Sequence, residues 1–214
     1  MNIARLAGLV FLCAPLASAV TLSQVDEFSS GNDFWEEGGP SPNQPTRVVG
    51  GGPDGSDHLQ NLSTGGAGAG GRLLMWNSLQ WAGDYLAAGV SRISLFADNR
   101  SLSGDTINLR LAFNGPGGWF ISEAEVILAG SGWTALEFGL GAESLSHVSG
   151  GSGVLADTLS SASFLEILSE SSAPFSVGSV IRGDALAADL RIDKITALAA
   201  VPEPSGAALF LSLI

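Results

Sequence analysis

The chain has 214 residues, including 29 glycines, and its 9 basic and 21 acidic groups give a formal net charge of −12 at pH 7. This charge argues against nucleic acid and anionic membrane surfaces as partners, because both would repel the protein. A single cysteine excludes an internal disulfide, so the fold depends on its own core, on a bound ion, or on both.

The amino terminus has the pattern of a secretory signal peptide over residues 1–19. Arg5 supplies a basic start, an apolar run covers 6–16, and the small residues Ala17 and Ala19 frame the cleavage site. The sequence therefore predicts an exported protein whose mature chain starts at Val20.

Short apolar segments separated by glycine-rich turns fill residues 20–200, and no helical periodicity is sustained. The clearest segment is 107–113, where Ile107, Leu109, Leu111 and Phe113 alternate with polar or small residues, as in a half-buried strand. The pattern predicts one all-β domain, a two-sheet antiparallel sandwich of ten strands, at 24–28, 47–49, 58–62, 72–76, 89–97, 107–113, 119–128, 133–138, 163–168 and 186–197.

Two features interrupt the strand pattern. Ile195 has the opposite parity to Leu190 and Ile192, which predicts a β-bulge near Asp193 and Lys194. The glycine-rich stretches 31–56 and 64–71 lack periodicity and are predicted to be loops at the rim of the sandwich.

Few residues suit catalysis. Glu123 and Glu125 stand two apart on a predicted strand, as paired carboxylates of glycosidases can, but solvated glutamates alternating with apolar residues explain them more simply. The two histidines have no metal-binding spacing, and no nucleophile motif accompanies them. The sequence therefore favours a protein that is not an enzyme.

Aromatic residues provide another candidate site, because sugars stack their apolar faces on Trp and Tyr rings. The candidates are Trp35, Trp76, Trp81, Tyr85, Trp119 and Trp133, although most tryptophans of a sandwich pack in its core or at its rim. Trp35 and Tyr85 fall in predicted loops, so we expect these two to be the glycan-stacking residues.

The carboxyl end combines a turn, Pro202-Glu203-Pro204, with an apolar run over 207–214. It resembles the PEP-CTERM sorting domain of exported bacterial proteins. The resemblance implies export, recognition by exosortase-type sorting machinery, a transient membrane anchor and delivery to the cell surface or beyond. The run is shorter than the roughly 20 residues of a membrane span, and no basic cluster follows it. We therefore interpret 201–214 as a truncated sorting signal, and the alternative is a defective anchor.

The central region, through the segment 81–90 (WAGDYLAAGV), Asp98-Asn99 and the closing segment 190–195 (LRIDKI), is similar to jelly-roll modules of exported PEP-CTERM proteins. It also resembles, more loosely, laminin-B-like and carbohydrate-binding jelly rolls. The resemblance implies a structural calcium ion between the first and last strands. Oxygen ligands suit calcium, so the candidate ligands are Asp26, Asp57 and Asp193, and the alternative is that these are solvated or ion-paired acidic residues.

These observations leave two principal hypotheses and one minor one. The first is a non-enzymatic surface or extracellular-matrix protein with a structural or adhesive role in an exopolysaccharide layer. The alternative is a carbohydrate-binding module with a defined glycan site, and the minor alternative is a glycan-cleaving enzyme that uses Glu123 and Glu125.

Overall fold

Alternating apolar residues form two antiparallel β-sheets in a computed structural model that describes residues 19–39, 41–172, 175 and 177–201. The first sheet contains β1 (Val25–Asp26), β2 (Thr46–Val48), β3 (His58–Thr64), β5 (Arg92–Asn99), β9 (Thr134–Gly139) and β12 (Ala187–Leu198). The second contains β4 (Leu74–Asn77), β6 (Ile107–Gly115), β7 (Gly118–Ser122), β8 (Glu125–Ile127), β10 (Leu145–Ser149) and β11 (Phe164–Ser169). A short helix, α1 (Leu155–Leu159), lies between β10 and β11.

Strands that are distant in the chain are neighbours in both sheets. The first sheet runs β2-β3-β12-β5-β9, with β1 also paired to β12, and the second runs β10-β7-β6-β11-β4, with β8 also paired to β6. The last strand therefore lies inside the first sheet, and the first strand pairs with it. The fold is all-β, a two-sheet antiparallel jelly roll, as the sequence predicts.

The core lies between the two sheets, where one face of each sheet turns inward. On β6 the predicted inward residues Ile107, Leu109, Leu111 and Phe113 are all fully buried. They join a single apolar cluster with residues of the first sheet such as Ile192. Period-two alternation places these side chains on one face of the strand, so the sequence identified this part of the core correctly.

The predicted bulge in the last strand is confirmed. The register between β12 and β5 shifts between Asp193 and Thr196, and Lys194 has a φ of 52°. The extra residue returns Ile195 to the core, where it is fully buried.

The outer face of the second sheet, turned away from the first sheet, is also partly covered. Ala112, Ile121, Val148 and Leu168 form a second apolar cluster there. Side chains that pack against this cluster are Leu74, Trp119, Phe175 and Ile181. Strand β6 therefore buries part of both faces, which its alternation alone did not predict.

Three local predictions differ from the structure. The predicted strand 119–128 is divided into β7 and β8, which pair with successive parts of β6. The sequence predicts neither β10 nor α1, because each is only five residues long and lacks a strong period. The predicted loop 31–56 contains a bridge between Glu36 and Trp76 in addition to the strand predicted at 47–49, which is β2.

The hairpin between β6 and β7 shows why glycine is needed in this fold. Gly118 has a φ of 103°, and a Cβ at Gly117 would lie 2.1 Å from the Val154 carbonyl oxygen. The turn therefore packs directly against the segment that leads into α1, an approach that a larger residue would block.

The predicted signal-peptide residue Ala17 and the sorting motif Pro202, Glu203 and Pro204 lie outside the described residues. Within the described part of the chain, no helix has the length and apolarity needed to cross a membrane.

Candidate functional site

An aromatic groove lies on the outer face of the second sheet. We define it by Trp76 on β4, Trp119 on β7, and Phe164 and Glu166 on β11, which line a cavity of about 340 Å³. The strands bring these residues together because β11 lies between β4 and β6, and β7 is the next strand beyond β6.

The three rings of the aromatic groove contact one another in sequence. The Trp119 and Phe164 ring centroids lie 5.3 Å apart in an edge-to-face arrangement, and those of Phe164 and Trp76 lie 6.5 Å apart. All three side chains are half-buried. Each ring is therefore fixed by its neighbour while part of its surface remains accessible to solvent.

Trp76 is held by the segment that precedes β2. Its indole Nε1 donates a hydrogen bond to Glu36 Oε1 at 3.1 Å, and the backbones of the two residues exchange hydrogen bonds of 2.8 and 2.9 Å. Gly38 packs against the ring, since a Cβ there would lie 1.8 Å from Trp76 Cη2. The absence of a side chain at Gly38 thus permits the observed ring position.

Glu166 supplies the polar group of the aromatic groove. It lies opposite Trp76 on one side and Ala112 on the other, is only 5% exposed, and its Oε2 has no hydrogen-bond partner among the described residues. Burial, the larger cause, and repulsion from Glu170 together raise the pKa of Glu166 from 4.5 to about 7.

Arg110, on β6, is engaged elsewhere. Its Nε donates to the Glu170 carbonyl oxygen at 2.8 Å and its guanidinium to the Ser122 carbonyl oxygen at 2.6 Å, and it lies 5.0 Å from the Phe175 ring centroid. The residues that line the aromatic groove include no cation. The groove therefore offers aromatic faces and a carboxyl group.

The predicted stacking residues Trp35 and Tyr85 are not on the surface, and their proposed placement is wrong. Both are fully buried. The indole Nε1 atoms of Trp35 and Trp81 each donate to Asp26 Oδ2 at 2.7 Å, and the Tyr85 hydroxyl donates to the Trp81 carbonyl oxygen at 2.7 Å. These residues form a buried polar network in which the aromatic rings pack in the core and their polar atoms pair internally.

This network makes stability depend on pH. Burial raises the pKa of Asp26 from 3.8 to about 6, although the two indole donors oppose that change. A carboxyl group with a raised folded-state pKa binds protons more tightly in the folded protein, so its contribution to stability is complete below pH 4 and is lost as the pH rises through 6.

We expect Asp26→Asn to remove this dependence, because the amide keeps an acceptor oxygen for the indoles and does not titrate. Between pH 4 and pH 8, the unfolding free energy of the wild type should fall relative to that of the variant by roughly 2.4 kcal/mol. Urea unfolding followed by tryptophan fluorescence at pH 4, 6 and 8 measures the difference. A constant difference across these three pH values would show that Asp26 does not titrate in this window.

The three predicted calcium ligands lie near the first and last strands but already have protein partners. Asp26 accepts from two indoles, Asp57 from Arg47 and the Gly50 N–H, and Asp193 from the Ser56 hydroxyl at 2.5 Å and the Lys194 N–H. The described residues include no group of three or more histidine or acidic side chains placed to hold a metal. The carboxylates therefore do not fit a shared calcium site as they stand, and calcium binding stays a prediction.

Glu123 and Glu125 are both exposed at the junction of β7 and β8. They line a cavity of about 170 Å³ with two further glutamates, Glu137 and Glu143. Glu137 pairs with Arg92 at 2.7 Å. These solvated carboxylates lie in a different place from the aromatic groove, and no aromatic side chain of Trp or Tyr lines their cavity.

Trp76 and Trp119 are among the aromatic candidates in the sequence, but no sequence pattern predicts the aromatic groove. In segment 72–76 both parities are apolar, since Leu73 and Met75 alternate with Leu74 and Trp76, so periodicity could not show which face binds a ligand. A stronger signal lies in the spacing of Phe164 and Glu166, which places an acidic residue two positions from an aromatic one on a mostly apolar strand.

No protein-family model matches the sequence, and none of the curated proteins matches it. Among solved structures, the chain resembles a family 11 carbohydrate-binding module of a cellulosomal cellulase of Clostridium thermocellum, with a TM-score of 0.54 and 12% identity over 86% of this chain and 99% of that one. The chain also resembles the family 11 module from Clostridium thermocellum in complex with a β-1,3-1,4-mixed-linked tetrasaccharide. That comparison has a TM-score of 0.53 and 13% identity, and it covers 86% of this chain and 99% of that one. These likenesses establish that the chain has the jelly-roll fold of carbohydrate-binding modules.

Proposed function

We propose that this protein is a non-catalytic carbohydrate-binding module that holds a glycan in the aromatic groove. The observation that carries the proposal is the groove itself, with three mutually packed, half-buried aromatic rings beside a buried carboxyl group. The resemblance in fold to modules that include one solved with a tetrasaccharide supports it.

The chemistry of sugars suits this surface. A pyranose ring has apolar C–H faces that stack on aromatic rings, while its hydroxyls need polar partners. In the aromatic groove Trp76, Phe164 and Trp119 provide the apolar surface, and Glu166 provides a carboxyl group beside them. The rings are positioned before binding, so little side-chain entropy is lost when a ligand arrives.

The proposed setting is outside the cell. It rests on the signal-peptide pattern of residues 1–19 and on the resemblance of 201–214 to a PEP-CTERM sorting domain, which would make the protein a substrate of exosortase-type machinery. A glycan-binding domain delivered in this way would attach to extracellular polysaccharide. This setting joins carbohydrate binding to the adhesive role predicted from the sequence.

Gly38→Ala is expected to weaken glycan binding without unfolding the protein. The new Cβ would overlap the Trp76 ring and displace it from the aromatic groove, and a loss of about tenfold in affinity would follow from a misplaced stacking ring. Gly68→Ala is the matched control, because a Cβ there has no atom within 4 Å. Equal affinities for the two variants would contradict the proposed role of Trp76.

A glycan array probed with residues 20–200, together with affinity electrophoresis in gels of soluble polysaccharides, tests the proposal directly. Saturable binding to a narrow set of glycans, with no new reducing ends released, is the expected result. Release of reducing ends that is lost in Glu123→Gln or Glu125→Gln would favour the enzyme alternative. A folded domain that binds no glycan would overturn the proposed function.

A further inference from the structure

Glu166 is the polar side chain of the aromatic groove, and one of its carboxyl oxygens is a hydrogen-bond acceptor without a partner among the described residues. The carboxyl is 5% exposed, and Oε2 has no hydrogen-bond partner among the described residues. Buried polar atoms in folded proteins are nearly always paired. Glu166 lines the aromatic groove, so a ligand group seated there supplies the missing hydrogen bond once the carboxyl turns toward it.

The surroundings of Glu166 determine which ligand group that can be. Glu170 lies close enough to raise the pKa of Glu166, and Glu36 accepts a hydrogen bond from the Trp76 indole at the side of the groove. The nearest guanidinium on β6, that of Arg110, donates to two backbone carbonyls. An anionic group in the groove would therefore meet acidic side chains with no cation among the lining residues.

We propose that Glu166 Oε2 accepts a hydrogen bond from a sugar hydroxyl, and that the aromatic groove selects uncharged glycans and rejects uronate-containing or sulfated ones. This inference rests on the proposed function and adds the chemical class of the ligand. A hydroxyl donor satisfies the free oxygen, whereas a carboxylate or sulfate in its place would add a second negative charge in a poorly solvated site.

The test uses residues 20–200 and three neutral polysaccharides, mixed-linkage β-1,3-1,4-glucan, xyloglucan and galactan. Each polysaccharide is used unmodified and after partial oxidation of its primary hydroxyls to carboxylates. The two forms share the same sugar backbone and differ in charge. Isothermal titration calorimetry at about pH 9, where Glu166 with its raised pKa of about 7 is ionised, gives the affinity for each member of a pair. The salt concentration is held fixed because exposed charges are screened.

Three variants separate the role of the carboxyl from that of the fold. Glu166→Met removes the acceptor, Glu166→Gln keeps an amide oxygen but removes the charge, and Glu27→Gln makes the same chemical change at an exposed position. The thermal midpoint of each is measured first. Removal of a buried carboxyl should leave the midpoint unchanged or raise it, so loss of binding would not reflect unfolding.

The wild type should bind a neutral glycan at least about tenfold more tightly than its oxidised form, the ratio expected for one unfavourable charged contact. Glu166→Met should lose about tenfold for the neutral form, Glu166→Gln should bring the two affinities within about threefold, and Glu27→Gln should match the wild type. Equal binding of oxidised and neutral glycans by the wild type, or wild-type affinities in both Glu166 variants, would overturn the inference.

Failure of the proposed function itself would look different. If Trp76→Ala abolishes binding while both Glu166 variants behave as wild type, the aromatic groove binds glycans but Glu166 does not select them. If no neutral glycan binds and choline does, the rings and the carboxyl form a site for an organic cation. That result would overturn both proposals.

Discussion

Trp76→Ala should reduce the affinity for a bound neutral glycan by about 30-fold or more. Tryptophan residues at the centre of a binding surface commonly contribute at least about 2 kcal/mol, and each 1.4 kcal/mol corresponds to a tenfold change in affinity. Trp76 forms one side of the aromatic groove and contacts Phe164. Its loss removes a stacking surface and the support of a neighbouring ring.

The matched control is Trp133→Ala. Trp133 is also partly exposed, but it contacts His58 and donates to the Gly51 carbonyl oxygen at 2.9 Å, away from the groove residues. The Trp133→Ala variant should bind the glycan with wild-type affinity at a temperature where both this variant and Trp76→Ala are folded. A loss of affinity in Trp133→Ala that equals the loss in Trp76→Ala would place the glycan elsewhere.

Asp26→Ala should be the most destabilising substitution among the carboxylates discussed. It leaves the indole N–H groups of Trp35 and Trp81 buried without their common acceptor. Each unsatisfied buried donor costs about 1–3 kcal/mol, partly offset by the loss of a buried carboxyl, so we expect a net loss of roughly 3 kcal/mol. For a domain of this size, that lowers the melting temperature by about 10 °C.

Asp26→Asn is the comparison that isolates the hydrogen bonds, since its amide oxygen can accept from both indoles. Thermal unfolding at pH 5 followed by circular dichroism compares the two variants. The alanine variant should melt well below the asparagine variant. Equal melting temperatures would mean that the two indole hydrogen bonds contribute little and that Asp26 occupies the core for another reason.

The sequence predicted the fold class because the signals for it are local. Period-two alternation in 107–113 identified the core face of β6, and the parity change at Ile195 identified the bulge in β12. Both depend on the direction of neighbouring side chains along one strand. The order of the strands in each sheet depends on contacts between distant segments, which these patterns do not encode.

The candidate site is harder to predict than the fold, because a position in a loop does not determine whether a side chain is exposed. Trp35 lies in an irregular segment and yet is fully buried, since its indole pairs with Asp26. Trp119 lies in a strand and yet remains half-exposed, because the outer face of the second sheet is only partly covered. The groove joins three strands from separate parts of the chain, so no single segment carries its pattern.

The most direct test of the central claim follows the indole N–H signals of the five tryptophans in ¹H–¹⁵N spectra during titration with mixed-linkage β-1,3-1,4-glucan, xyloglucan and galactan. Assignments come from single Trp→Phe variants. With the glycan that binds, the Trp76 and Trp119 signals should shift in a saturable way, while those of Trp35 and Trp81, buried and bonded to Asp26, should stay in place. Shifts confined to Trp133, or no shift with any of the three glycans, would contradict glycan binding in the aromatic groove.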